Sequence, residues 1–429
     1  MSNRQKAPLL PKLRFPGFNE PWSNDPIAKV FVEHKLKNAA GRDVFSVSME
    51  SGIVNQIAYL GRSYAAADTS HYTVARRFDV VYTKSPLKAF PFGIVKQCKF
   101  DGEVALSPLY GVFTPTNPNV GSMIEAYFES PNRSISFLSP LCQKGAKNTL
   151  QITNTTFLSG RIPLPKEPVE QQKIADCLSS LDKLIAAQTR KVDAFKTYKK
   201  GLMQQLFPIE GETQPRLRFP EFLHSGEWEE KSFFELCEVK HGYAFEGEFY
   251  SNEGEYVLLT PGNFYEQGGY RDRGENQKYY IGEIPRSYVL NAGDLLVAMT
   301  EQAAGLLGSP ILVPESDKFL HNQRLGLLTK KPGAAWTHEF FFHVFNTQPV
   351  RDAIHASASG AKVRHTSPRK IGEVVFSFPT SLLEQQCIAD CLTSLDTLIT
   401  AIAQELETLK THKKGLMQQL FPMQDEGRR

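Results

Sequence analysis

His338 and His343 flank the run Glu339-Phe340-Phe341-Phe342, residue types that at the right spacing would hold zinc and activate a water. The spacing is not HExxH, and an apolar helix around two histidines predicts core or surface positions instead. Cys387 and Cys391 lie one helical turn apart, but no histidine accompanies them. Cys98, Cys142, Cys177 and Cys237 complete the set without a CxxC pair, so buried, reduced thiols are expected. No GxxxxGK[ST] loop, GxGxxG turn or GxSxG elbow occurs. Asn117-Pro118-Asn119-Val120 lacks the second proline of the tetrapeptides that serve amino-group methylation. The chain is expected to catalyse nothing alone and to need no metal or cofactor.

Recognition chemistry is better represented. Arg, Lys, Asn and Gln read base edges in the major groove, while Lys, Arg, Ser and Thr hold phosphates. Near turns and strand ends of the second half stand Thr300, Glu301, Gln302, Asn322, Arg324, Lys362, Arg364 and His365. In the first half the matching candidates are Arg62, Lys84, Ser85, Lys88, Lys144, Lys147 and Asn148. Gly145-Ala146-Lys147 and Gly360-Ala361-Lys362 recur between the halves, which singles out Lys147 and Lys362. A net charge of +3 permits a polyanionic partner without demanding one.

What must position these residues is a stretch that occurs twice, Glu170 to Pro208 and Glu384 to Pro422. The offset is constant, and 26 of the 39 aligned positions are identical. Apolar residues recur at alternating spacings of four and three, from Ile174 to Leu206 and from Ile388 to Leu420. That is the seam of a long helix buried against another helix, and the other copy is the obvious partner. Gln188, Lys199 and Lys413 interrupt the seam, and either fix its register or snorkel at its ends. Polar positions off the seam repeat as well: Gln171, Gln172, Asp176, Asp182, Lys200 and Gln204 against Gln385, Gln386, Asp390, Asp396, Lys414 and Gln418. A recent duplication would leave such identities. However, the middle (Gln188 to Phe195 against Ile402 to Leu409) has drifted completely, which favours two sites for two copies of one partner.

A second repeat frames the first. Arg14-Phe15-Pro16-Gly17-Phe18 closing at Trp22 returns as Arg218-Phe219-Pro220-Glu221-Phe222 closing at Trp228. Between these marks lie two variable blocks rich in aromatic, β-branched and turn residues, read as strand-dominated domains. Phe78 to Thr83 parallels Gly293 to Ala298, and Pro108 to Phe113 parallels Gln323 to Leu328. The expected segments are therefore 1–22, 23–166, 167–208 (long helix), 209–228 (linker), 229–380, 381–422 (long helix) and a tail, 423–429. No run of 18 apolar residues and no signal-like start is present, so a cytoplasmic chain without a membrane segment is expected.

The layout resembles the specificity subunit of type I restriction–modification systems. The marks are the LPxPxxEQQKIADxLxxLD pattern from Leu164 to Asp182 and the KKGLMQQLFP ending from Lys199 to Pro208, with their second copies. The second copy departs at Phe378-Pro379 and at Ser381-Leu382-Leu383. The resemblance implies an α+β chain: two mixed target-recognition domains separated by two long antiparallel helices, with an internal pseudo-two-fold repeat. It implies that each domain reads one half of a split target on double-stranded DNA. Two modification subunits would dock on the helices and methylate adenine with S-adenosylmethionine, and restriction subunits would bring ATP- and Mg-dependent cutting. Independently, roughly 36 helical residues at ~1.5 Å each span about 54 Å, against about 34–36 Å for one duplex turn. Helix length would then act as a ruler for the spacer. The alternative is a coiled-coil adaptor without DNA recognition.

Overall fold

The computed structural model describes residues 8–144, 150–209, 211–301 and 305–422, with only the backbone of Lys144, Leu150 and Gln151. Both repeated stretches are single helices, Pro168–Leu206 and Leu382–Leu420. Each carries a glutamate in its first turn, Glu170 or Glu384. Neither has a proline beyond its first residue, and Pro208 and Pro422 follow the helix ends, as the Phe-Pro endings predict.

Contacts divide the chain into two compact units. The first takes residues up to Thr189 and those from Gln404 onward, and the second runs from Arg190 to Ala403. Each long helix, one segment in the sequence reading, thus gives its two halves to different units. Within the first unit Asp182 meets Lys413 and Gln188 meets Glu405, so the half-helices run antiparallel. In the second unit Lys199 pairs with Asp396 in the same sense. The seam lysines are ion-paired at corresponding places, which fixes the axial register of both half-seams.

Each unit's core explains which ends of the helices repeat. In the first unit Ile174, Ala175 and Leu178 join Met417, Leu420 and Phe421 in one cluster with Trp22, Phe113 and Phe157. In the second, Ile388, Ala389 and Leu392 join Leu206 and Phe207 around Trp228, Phe233 and Phe341. The start of one helix and the end of the other are therefore core for each unit. Much of the sequence identity at the helix ends follows from this burial, since changing the volume of a packed core side chain costs stability. One window of helix Leu382–Leu420 is long and apolar enough to cross a bilayer by length and composition alone. Its Ile388, Leu392 and Leu420 are instead used inside these cores.

Each variable block holds a four-stranded antiparallel sheet. In the first unit the order is Phe31–Glu33, Gly111–Pro115, Val80–Tyr82, Val95–Gln97. In the second it is Cys237–His241, Leu325–Lys330, Leu295–Ala298, Pro310–Leu312. The two pairs of parallel sequence segments noted above supply the two central strands of each sheet. Apolar side chains on both faces, as in Val80, Val81, Leu295 and Leu296, match strands covered on two sides. Each block also closes on itself: Arg161–Leu164 pairs with Ser23–Pro26, and Val375–Phe378 with Glu229–Ser232.

Candidate nucleic-acid interface

In the second unit one rim of the four-stranded sheet collects most of the candidate residues. His241 lies opposite Gly326, and Ala298 opposite Leu325, so these strands end together. Just beyond, Thr300 and Glu301 pair with His365 and Arg364. The Met299 amide donates to the Arg324 carbonyl at 3.0 Å, and the Thr366 amide to the Met299 carbonyl at 2.9 Å. Thr300, Arg324, Arg364 and His365, dispersed in sequence, thus share one edge.

Lys362 sits on the tight loop closed by reciprocal amide bonds between Ser359 and His365, at 3.0 and 2.8 Å. Gly360 has φ +105, and a Cβ there would fall 2.0 Å from the Val363 carbonyl oxygen. Only glycine fits, which accounts for the glycine of this Gly-Ala-Lys motif. The side chain of Lys362 is exposed. Lys147 and Asn148, with the other Gly-Ala-Lys loop, lie outside the described residues, as does Gln302. Lys144 ends the strand Gln143–Lys144, which pairs with Leu150–Gln151.

Two candidates are not available to a ligand. Glu301 is 3 % exposed; one carboxylate oxygen accepts from the Gly305 and Leu307 amides at 3.0 and 2.9 Å. The other faces Arg364 at 3.6 Å, so it braces its own loop instead of accepting from a base. Asn322 is 5 % exposed, and its Oδ1 accepts from the Arg324 amide at 3.1 Å. Arg364 is partly committed too, donating to the His355 carbonyl at 2.6 Å. The Arg324 side chain is exposed, as is that of His365, whose Nε2 lies 3.1 Å from Ser359 Oγ.

In the first unit Lys84, Ser85 and Lys88 occupy the turn that leads to Gly93. Lys84 has φ 61, and a Cβ on Gly93 would fall 2.7 Å from the Lys84 backbone. Burial lowers the Lys84 ammonium below its ordinary range, whereas Ser85 and Lys88 are exposed. Arg62 follows helix Gln56–Leu60; its Nε donates to Tyr64 Oη at 2.7 Å and its guanidinium lies 4.6 Å over the Tyr64 ring.

The partner candidates on the long helices divide into two groups. Gln171 and Gln385 point inward: each Nε2 donates to a carbonyl six residues back, Pro165 or Pro379, at 2.8 Å. Gln171 Oε1 accepts from Asn117 and Gln385 Oε1 from the Thr337 amide. Both are withdrawn from any partner surface, because their amides tie each helix start to its own domain. Asp176, Lys200, Gln204, Gln172, Asp390, Lys414 and Gln418 are exposed, and Gln386 is half-buried. Gln172 donates to Asp176 and Gln386 to Asp390, both at 2.8 Å, so the same surface pair appears on both helices.

No group of three His, Cys, Asp or Glu side chains suited to a metal occurs among the described residues. The thiols are not all buried as expected: Cys98 and Cys237 are, but Cys142, Cys177 and Cys391 are half-buried, and Cys387 is exposed because it lies on the outer face of its helix, beside the buried Ile388. His343 is core: its Nε2 lies 3.2 Å from Thr393 Oγ1, and burial with nearby Lys199 pushes its pKa down to about 3.

Residues 98–194 and 225–411, together well over half of the chain, match the family model described as type I restriction modification DNA specificity domain. The chain belongs to this family. It is 24 % identical over 270 residues to the type I restriction enzyme MjaVIII specificity subunit of Methanocaldococcus jannaschii, covering 62 % of each chain. It is 28 % identical over 177 residues to the EcoBI specificity subunit of Escherichia coli, covering 41 % of this chain and 33 % of that one. The matches thus span less than two thirds of the length of these curated relatives. In fold it is similar to the S subunit of a type I restriction–modification system from M. genitalium, with TM-score 0.59 and 15 % identity over 96 % of this chain and 99 % of that one.

Proposed function

We propose that this chain is the DNA-reading subunit of a type I restriction–modification assembly, each variable block reading one half of a split double-stranded target. The observation that carries this reading is the family match over both repeats. The exposed rim of Arg324, Lys362 and His365 supplies donors of the kind that base edges and phosphates accept. Two modification subunits dock on the repeated surface pairs Gln172–Asp176 and Gln386–Asp390 and on the exposed Lys200, Gln204, Lys414 and Gln418. S-adenosylmethionine, ATP and Mg act on the modification and restriction subunits, and the assembly works in the cytoplasm, where its DNA is. Helices of 39 residues, about 58 Å at ~1.5 Å per residue, set the spacer between half-sites.

A long-read methylome of cells with and without the gene tests the function. Loss of one split adenine-methylated motif, with the others kept, is expected; an unchanged methylome in cells expressing intact modification subunits would overturn it. Lengthening both helices by matched insertions should then change the spacer and leave both half-sites intact.

A further inference from the structure

We propose that Gln323-Arg324 in the second unit and Pro108-Leu109 in the first are matching base-reading tips, each carried on the same locked turn ahead of a central sheet strand. This rests on the DNA-reading function above and assigns it to residues.

The turn is built alike in both units. In the second, Asn322 Oδ1 accepts from the Arg324 amide at 3.1 Å, and the Leu325 amide donates to the Asn322 carbonyl at 2.9 Å. In the first, Ser107 Oγ accepts from the Leu109 amide at 3.3 Å, and the Tyr110 amide donates to the Ser107 carbonyl at 3.1 Å. A short side chain therefore caps the turn, and the two residues after it form the tip. The strands that follow, Leu325–Lys330 and Gly111–Pro115, hold the same place in their sheets.

The second turn is held from below as well. The Gln323 amide donates to the Tyr243 carbonyl at 3.0 Å, and the Tyr243 amide to the His321 carbonyl at 2.9 Å. His321 Nε2 lies 2.9 Å from the Leu325 carbonyl, and burial pushes that imidazole down to about 4, so it is neutral and donates there. A Cβ on Gly242 would fall 2.3 Å from the Asn322 carbonyl, so the supporting strand approaches as closely as glycine permits. All of these bonds use backbone or buried groups. The Gln323 and Arg324 side chains are exposed and have no hydrogen-bond partner among the described residues.

The chemistry of the tips then differs on a common frame. Arginine pairs with the O6 and N7 of guanine, and glutamine with the N6 and N7 of adenine. Leu109 is 73 % exposed on its rigid turn, an unfavourable place for leucine in water. Against a thymine methyl the same side chain gains apolar contact. The second tip suits adjacent purines and the first a thymine.

The experiment uses the full chain assembled with its modification subunits and reads methylation over a randomised target library. Gln323→Ala and Arg324→Ala should each relax one base position in the half-site read by the second block by about 10-fold or more, leaving the other half unchanged. Leu109→Ala should do the converse. Gln323→Glu and Arg324→Lys provide milder variants should an alanine substitution impair assembly. Unchanged base preference in all assembled variants, or a uniform loss of binding with no position relaxed, would overturn the assignment. A wild-type assembly that methylates no split motif would overturn the function itself.

Discussion

Lys413 places its ammonium 2.6 Å from a carboxylate oxygen of Glu129, and so joins the second long helix to the residue that ends helix Pro118–Phe128. The same ammonium lies 2.7 Å from Asp182 on the first long helix. Burial would raise the Glu129 carboxyl, but Lys96 and Lys413 hold it below its ordinary range. The repeat counterpart, Lys199, is ion-paired among the described residues with Asp396 alone, whose side chain is 39 % exposed. Replacing Lys413 by methionine leaves the part-buried Glu129 carboxylate with Lys96 alone, 3.3 Å away, and should cost the first unit about 2 kcal/mol. Replacing Lys199 should cost the second unit about 1 kcal/mol, since water already screens Asp396. Hydrogen-exchange protection of peptides from each unit reads the two losses separately; equal losses would contradict the difference.

Glu170 and Glu384 tie the repeated Arg-Phe-Pro segments to the helix starts. Glu170 accepts from Arg14 at 2.7 and 2.8 Å and from Trp22 Nε1 at 3.2 Å. Glu384 accepts from Arg218 at 2.6 and 2.8 Å and from Trp228 Nε1 at 3.1 Å. A bidentate guanidinium–carboxylate pair with both oxygens buried is geometrically demanding. Glu170→Gln leaves a guanidinium without its counter-charge, and a loss of about 3 kcal/mol is expected, as for Glu384→Gln. Limited proteolysis should then cut near Arg14 or Arg218 well before the wild type; unchanged cleavage would show that the segments are held some other way.

This clamp also shows where sequence reading stopped. The heptad spacing, the constant repeat offset and the paired strand segments are periodic or duplicated, so the helices and the central sheet strands were legible. The repeat of Glu170 beside the repeat of Arg14 and Trp22 held the signal for the clamp, but nothing in linear spacing joins residues 156 positions apart. Polar type also does not reveal depth. Gln385 and Gln386 are neighbours of one type, yet the first is fully buried on backbone groups and the second faces Asp390 at the surface. Glu301 and Asn322 carry the donor and acceptor chemistry of base readers, and the same chemistry makes them good internal braces. Gln323 lay within a recognised parallel segment, but without the turn geometry it could not be separated from Asn322.

Acid should weaken the second unit selectively. His321 and His343 have folded pKa values pushed down by burial to about 4 and about 3, against about 6.5 for an exposed histidine. The unfolded chain therefore binds up to two more protons than the folded one as the pH falls through about 6.5 toward 5, and stability falls with it. Between pH 6 and 5 the pair contributes a slope of about 2.4 kcal/mol per pH unit. The contribution is complete above pH 6.5 and is lost progressively as the pH falls toward the folded values. His343→Gln should lower the slope by about 1.2 kcal/mol per pH unit, read by urea unfolding at several pH values; a slope unaffected by that change would place the acid sensitivity elsewhere.

Charge and base reading should separate at the rim. Lys362 is exposed on a loop fixed by Gly360, and its ammonium is suited to a phosphate, which carries no sequence information. Lys362→Ala should weaken binding of the assembled complex to every duplex and reduce the slope of log affinity against log salt by about 0.9. Lys147→Ala is expected to act in the same way in the other half. Gln323→Ala removes no charge, so it should leave the slope unchanged while relaxing preference for one base. Titrations at several salt concentrations against cognate and singly substituted duplexes distinguish the two effects. If Lys362→Ala left both affinity and slope unchanged, that loop would lie outside the DNA contact, because a phosphate partner once lost must be visible in the salt dependence.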